Sequence, residues 1–261
     1  MRRFLAFAAL AVTMTVSACT GGVDPAAFDI GAQRLYDTKP IAFRTPAPQN
    51  FNVHGVDVAK WQGDIDWRLL KASGVSFAFI KATEGGDHID AKFARNWQEA
   101  KRAGMLRGAY HFYYHCTPAA DQARWFIRNV PREKGMLPPV LDMEWNGHST
   151  TCPGKKGRAE TLANMRTFLS MIERHYGTRP IIYSTVDFHR DIMQGEFRRY
   201  DHWLRSTKDH VDDVYPGRKG AWTFWQYTAT GRASGVDEHI DLNAFRGNRR
   251  AWQAWVKRRV L

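Results

Sequence analysis

Between residues 53 and 242 the chain alternates short runs rich in β-branched and aromatic residues with stretches of helical period. That alternation restricts it to a mostly parallel sheet with crossover helices. Eight runs read as strands: 53–59, 77–81, 107–114, 139–144, 180–184, 202–205, 223–227 and 238–242. Between them, residues 91–103 place Phe93 and Trp97 one helical turn apart and stop at Gly104, and Pro118 opens a second helix through Trp125, Phe126 and Val130. A third helix covers 158–176, with Leu162, Met165, Leu169 and Ile172 on one face and Gly177 as its stop. After Pro180 the segments between strands lack long amphipathic helices, and residues 249–258, with Trp252, Trp255 and Val256, read as a closing helix with a solvated basic face. A chain of 261 residues that is 44% hydrophobic can bury the core of one large α/β barrel. The expected fold is an irregular, single-domain β/α barrel of eight strands over residues 51–261, TIM-barrel-like but with fewer helices than the regular eightfold form.

In such a barrel, functional side chains gather at the C-terminal ends of the strands, where the loops converge on one mouth. The stretch Pro139-Val-Leu-Asp-Met-Glu-Trp145 fits that rule, because an apolar run opens onto Asp142 and Glu144, which alternation puts on one face while Met143 points the other way. Paired carboxylates repel and lose water, so they persist mostly where one acid keeps its proton beside an ionised partner, the arrangement that glycosidic cleavage needs. Asp57 lies near the end of the first strand and Asp241 late in the eighth. Each acid alone could be a solvated strand end; four at one mouth point to chemistry. Tyr110, Phe112, Tyr183, Trp203, Trp225 and Gln226 lie at the same strand ends, and flat rings with hydroxyls and amides suit a saccharide groove. Alternation sends about half of any such run outward under the helices.

Met1-Arg-Arg followed by an apolar run from Phe4 to Val12 and by Val16-Ser-Ala-Cys19 reads as an export signal over residues 1–18, and the small residues before Cys19 resemble a bacterial lipobox. Cys19 would then carry lipid, residues 19–50 would be a tether, and the protein would face the periplasm or cell exterior on a membrane anchor, or else be secreted. The remaining cysteines, Cys116 and Cys152, form an even pair in an oxidising compartment and follow adjacent strands, so a disulfide is expected. The formal charge of +12, about +10 once Arg2 and Arg3 are removed, calls for a polyanionic partner. The cations are scattered and no nucleic-acid-binding signature collects them, which favours a cell wall or an anionic membrane face over nucleic acid. No metal-ligand spacing is present, and neither metal nor cofactor is expected.

Several motifs in register resemble those of the glycoside hydrolase family 25 lysozymes, N-acetylmuramidases of bacterial peptidoglycan. They are Gly55-Val-Asp-Val-Ala-Lys-Trp-Gln62, Phe79-Ile-Lys-Ala-Thr-Glu-Gly85, Gly108-Ala-Tyr-His-Phe112, Val140-Leu-Asp-Met-Glu144, Ile182-Tyr-Ser184, Trp225-Gln-Tyr227 and Asp241-Leu-Asn243. The resemblance covers about residues 53–245 and implies an irregular barrel and a retaining cleavage of the β-1,4 bond between N-acetylmuramic acid and N-acetylglucosamine, with peptidoglycan glycan strands as the partner; a monomer is expected, although no motif addresses the oligomeric state. It also implies Glu144 as general acid, Asp142, Asp57 and Asp241 as the other acids, and Tyr110, Tyr183, Trp225 and Gln226 along the sugar subsites. Whether Asp142 is a nucleophile or an aspartate orients the substrate's acetamido group stays open. The chain departs from the pattern at Ala59, where the family usually has serine, and in the insertion-like stretch 146–156. Two further readings stand beside this one: a wall-binding lipoprotein without catalysis, and a hydrolase of chitin-like N-acetylglucosamine polymers.

Overall fold

The computed structural model describes residues 27–29 and 34–261, except 148 and 216–219. The signal segment and Cys19 lie outside the described residues. In chain order the elements are β1 (Ala27–Asp29), β2 (Arg34–Asp37), β3 (His54–Val58), α1 (Trp67–Ala72), β4 (Phe77–Glu84), β5 (His88–Ile89), α2 (Phe93–Arg102), β6 (Leu106–Phe112) and α3 (Ala119–Asn129). They continue with β7 (Val140–Met143), α4 (Arg158–Tyr176), β8 (Ile181–Ser184), α5 (Val186–Phe188), β9 (Asp201–Arg205), α6 (Val211–Val214), β10 (Phe224–Ala233), β11 (Ile240–Phe245) and α7 (Arg249–Arg259).

Strands β3, β4, β6, β7, β8, β9 and β10 pair in parallel succession, and β11 closes the barrel by running antiparallel to both β10 and β3. These are the eight strands expected from the sequence. The antiparallel β10–β11 hairpin needs no helix at all, and the parallel crossovers β8–β9 and β9–β10 carry only short ones, α5 and α6, of three and four residues against 19 in α4. The direction of β11 corrects one expectation. Asp241 stands at the start of its strand, not late in it, and reaches the mouth because the strand runs the opposite way, pairing Asp241 with Asp57.

Alternation sorts each strand into a helix-covered face and a barrel interior. Val56, Val58, Ala78, Ile80, Leu141, Met143, Ile182 and Leu204 join the helices in the outer core, whereas Phe77, Phe79, Val140, Ile181, Tyr183, Trp203, Phe224 and Phe245 fill the interior. Phe79 stacks on Trp203 with ring centroids 4.6 Å apart. Helix α7 seals the bottom: Trp252 packs on Phe77, Phe224 and Phe245, and Trp255 stacks on Trp252. Gly55 and Gly108 leave the space that the rings of Phe77 and Phe79 occupy.

The tether reading needs correction from Arg34 onward. Strand β2 pairs with the far end of β10, Leu35 is buried in the outer core, and Phe43 packs edge-on against Trp225, so residues 34–50 are part of the barrel's coat. Strands β1, β2 and β5 and helix α1 were not legible as elements. Helix α1 did carry a signal, since Asp66 caps it by accepting from the amides of Arg68 and Leu69, and Trp67 and Leu70 supply its buried face.

A Cβ added at Gly55 would lie 2.3 Å from the ring of Phe77. Gly55→Ala is therefore expected to lower stability by about 1–3 kcal/mol, read from urea unfolding. An unchanged midpoint would show that the ring yields without cost.

Candidate active site

The upper interior of the barrel changes character from aromatic to polar at the ends of the parallel strands. There a cleft of about 340 Å³ is lined by Asp57, Ala59, Trp61, Lys81, Tyr110, Phe112, Asp142, Glu144, Tyr183, Trp203, Arg205, Gln226, Ala229 and Asp241. Five of the seven parallel strands contribute the position two residues above an interior core side chain: Lys81 above Phe79, Asp142 above Val140, Tyr183 above Ile181, Arg205 above Trp203 and Gln226 above Phe224; on β3 and β6, Asp57 and Tyr110 stand two residues above Gly55 and Gly108. All four acids expected from the sequence meet here, as do Tyr110, Phe112, Tyr183, Trp203 and Gln226.

Trp225 does not. It is fully buried outside the barrel, where its indole N–H donates to the Ser206 carbonyl at 2.8 Å and its ring meets Phe43, His210 and Trp222. Adjacent strand residues face opposite sides, so once Gln226 points inward Trp225 must point out.

Asp57 is the best-held acid. Its Oδ1 accepts from Asn243 Nδ2 at 2.7 Å and from Gln226 Nε2 at 2.9 Å, and its Oδ2 lies 3.0 Å from the same Gln226 nitrogen. Both amides are themselves fixed, Asn243 Oδ1 by the indole N–H of Trp203 at 2.7 Å and Gln226 Oε1 by the Tyr183 hydroxyl at 2.9 Å. Burial nevertheless pushes Asp57 up to about 6, with the two amides pulling the other way. Asn243 was not singled out in advance, although its spacing from Asp241 puts the two on one face.

Asp142 and Glu144 divide by exposure. Asp142 is buried, and burial together with the charge of Glu144 drives it well above the usual carboxylate range; its Oδ1 has no protein partner among the described residues. Glu144, one residue past the end of β7, is part-exposed to the cleft and is also raised by burial, with Arg205 and Asp142 opposing. Asp241 is pushed well up by burial and by Asp57. The pair at 142 and 144 therefore holds a proton where two separate carboxylates in water would hold none.

The rim is rigid in two places. The single turn Lys60–Gln62 carries Trp61, which is 71% exposed, and is pinned by Asp90 accepting from the Lys60 amide and by Gln62 accepting from that of Ala59. Across the mouth the loops after β6 and β7 are joined by a Cys116–Cys152 disulfide with a Cα–Cα separation of 5.6 Å, as expected. Asn146, in the insertion-like stretch, ties the same loops by donating to the Tyr113 carbonyl and accepting from the His115 amide.

A family model described as "Glycosyl hydrolases family 25" matches residues 56–236. The chain belongs to that family. Among its relatives, an uncharacterized Escherichia coli K12 protein, YegX, is 36% identical over 85% of this chain and 80% of its own length, and Lysozyme M1 of Streptomyces globisporus is 36% identical over 78% of this chain and 72% of its own. The solved family 25 glycosyl hydrolase of Bacillus anthracis superposes with a TM-score of 0.70 at 38% identity, covering 78% of this chain and 94% of the other. The match to glycosyl hydrolases family 25 stops before β11, which supplies Asp241 and Asn243, so the acid cluster of this family 25 chain is completed by a strand beyond the matched stretch.

The proton on Asp57 has a stability consequence. Its folded value of about 6 exceeds the ordinary 3.8, so its contribution is full below pH 3.8 and is lost as pH rises through 6. Asparagine does not ionise. Relative to wild type, Asp57→Asn should gain on the order of 2–3 kcal/mol between pH 4 and pH 8, measured by urea denaturation at both. A difference that does not change with pH would show that Asp57 titrates elsewhere.

Proposed function

We propose that this chain is a peptidoglycan muramidase that cleaves the β-1,4 bond between N-acetylmuramic acid and N-acetylglucosamine. It is a glycoside hydrolase by family, and relatives named as lysozyme and N,O-diacetylmuramidase support the choice of polymer. The observation that carries the reading is the raised Asp142–Glu144 pair in a cleft that also contains Asp57, Asp241 and a ring of aromatic side chains.

Glu144 is the general acid. Of the two members of the pair it alone is open enough to touch a leaving oxygen, and Asp142, buried behind it with a carboxyl hydrogen bond between them, keeps the shared proton in place. A carboxyl as deeply desolvated as Asp142 is a poor nucleophile while it shares that proton. Asp57, fixed by two amides and ionised above about 6, is the better candidate to orient the acetamido group of the bound sugar, which favours the acetamido-assisted, retaining route. Trp61, on its pinned turn at the rim, and Tyr110 and Phe112 inside offer flat surfaces to successive sugars. A monomer is the working unit of this reading. Lipid on Cys19 would hold the enzyme at the membrane, with the strongly basic domain turned to the anionic wall.

Glu144→Gln is expected to lower the rate of peptidoglycan clearing, followed by turbidity loss, by about 10²–10⁴-fold with little effect on folding. In wild type the rate should fall as pH climbs through the raised value of Glu144, because the leaving oxygen then finds no proton. Lysis by the variant at the wild-type rate would remove Glu144 from the mechanism.

A further inference from the structure

Arg205 ends β9 and enters the cleft next to Gln226, its register partner on β10. Its backbone is fixed: the Arg205 carbonyl accepts from the buried Tyr215 hydroxyl at 2.6 Å, and the Ser206 amide donates to the Gln226 carbonyl at 3.0 Å. The guanidinium, by contrast, has no carboxylate within 4.0 Å and no hydrogen-bond acceptor among the described residues. Its neighbours' nitrogen donors are all engaged, Gln226 and Asn243 on Asp57, Trp203 on Asn243 and Lys81 on Glu84. A half-exposed arginine with five free donors in a rigid fork is matched best by a carboxylate bound through two of them.

The cleft's charge allows such a ligand. The titratable and charged groups facing Arg205 are Asp57 from β3, Lys81 from β4, Tyr110 from β6, Asp142 and Glu144 at β7, Tyr183 from β8, Asp187 from α5, Tyr215 just after α6, and Asp241 from β11. Burial raises all four acids of the cleft, so under mildly acid conditions they hold protons that free carboxylates would have lost. The charge of Lys81 is met by Glu84, whereas Arg205 acts on Asp57, Glu144 and Asp241 only through space, with an ion pair to none of them.

We propose that Arg205 binds a carboxylate of the substrate, and that the cleft prefers glycan strands whose muramic acid bears a free lactyl carboxylate over strands in which that carboxyl is an amide. The proposal rests on the muramidase reading. In an intact wall the lactyl carboxyl is amide-linked to a stem peptide, so the preferred strands are those from which an amide-hydrolysing reaction has already removed the stems.

The test uses two probes of equal length: strands stripped of stems by an amidase, and the same strands with the lactyl carboxyls converted to primary amides by carbodiimide and ammonia. Reducing-end release at pH 5 should show wild-type kcat/KM at least about tenfold higher on the acid probe, mainly through KM, with the ratio shrinking at higher pH as the acids ionise. In Arg205→Gln the ratio should fall toward one, and Arg205→Lys should keep part of it. A wild-type ratio of one overturns the proposal, and so does an Arg205→Gln enzyme that loses equally on both probes, which would mean that the guanidinium serves the acids and not the substrate. The wild-type comparison stands even if the glutamine variant fails to fold. Release from neither probe by wild type would instead count against the muramidase reading itself, and this proposal would fall with it.

Discussion

The clamp on Asp57 is the interaction on which the upper half of the barrel depends. A chain of hydrogen bonds runs from Trp203 on β9 through Asn243 on β11 to Asp57 on β3, and from Asp57 through Gln226 on β10 to Tyr183 on β8. Five strands meet in it, and they are the ones around the antiparallel seam where the sheet closes. Buried polar groups of this kind stabilise only when every member is satisfied, since each donor left alone costs about 1–3 kcal/mol. Here the named donors each find an acceptor, so the hydrogen bonds that join the seam are the same ones that aim an acid at the cleft. Loss of any one amide would loosen the closure and the site together.

Beneath the clamp the interior is an aromatic plug, and the contrast between the two layers sets the electrostatics. Phe79, Trp203 and Tyr183 lie in contact under the acids. They bring a low-dielectric floor within reach of Asp57 and Asp142, so desolvation leads the causes that raise both. Gly55 and Gly108 are what let the rings of Phe77 and Phe79 fill that floor. The proton held by the Asp142–Glu144 pair therefore traces back to packing several residues away from it.

What the sequence made legible follows from which forces leave a local trace. The eight barrel strands and the four longer helices announce themselves because period two and period 3.6 are written into consecutive residues. The acids at 57, 142 and 144 were legible because they end such runs. Strand direction is not written locally, so Asp241 was placed at the mouth with its position along β11 reversed. Trp225 and Gln226 both have chemistry that suits a sugar groove, and only the inward orientation of Phe224, set by the tertiary core, decides between them. Strands β1, β2 and β5 are two to four residues long and owe their existence to the partners they pair with. Arg205 read as an ordinary strand end because an unpaired cation looks the same in sequence as a solvated one.

The charge of the molecule acquires a division of labour from this arrangement. Among the described residues, Lys and Arg side chains on the outside form exposed ion pairs such as Arg44–Asp213 and Arg124–Asp121, each worth little on its own. The acids that matter chemically are gathered inside, away from those cations, where burial and mutual repulsion keep protons on them. Were the external cations brought into the mouth, they would pull the acids back toward ordinary carboxylate behaviour and discharge the proton that the proposed mechanism asks Glu144 to deliver. A basic exterior can attract an anionic polymer that comes close to its surface without that penalty, because screening over about 8–10 Å in physiological salt weakens its effect on acids farther away. Attraction and catalysis thus use opposite charges at separate depths, and Arg205 and Lys81 mark the boundary between them.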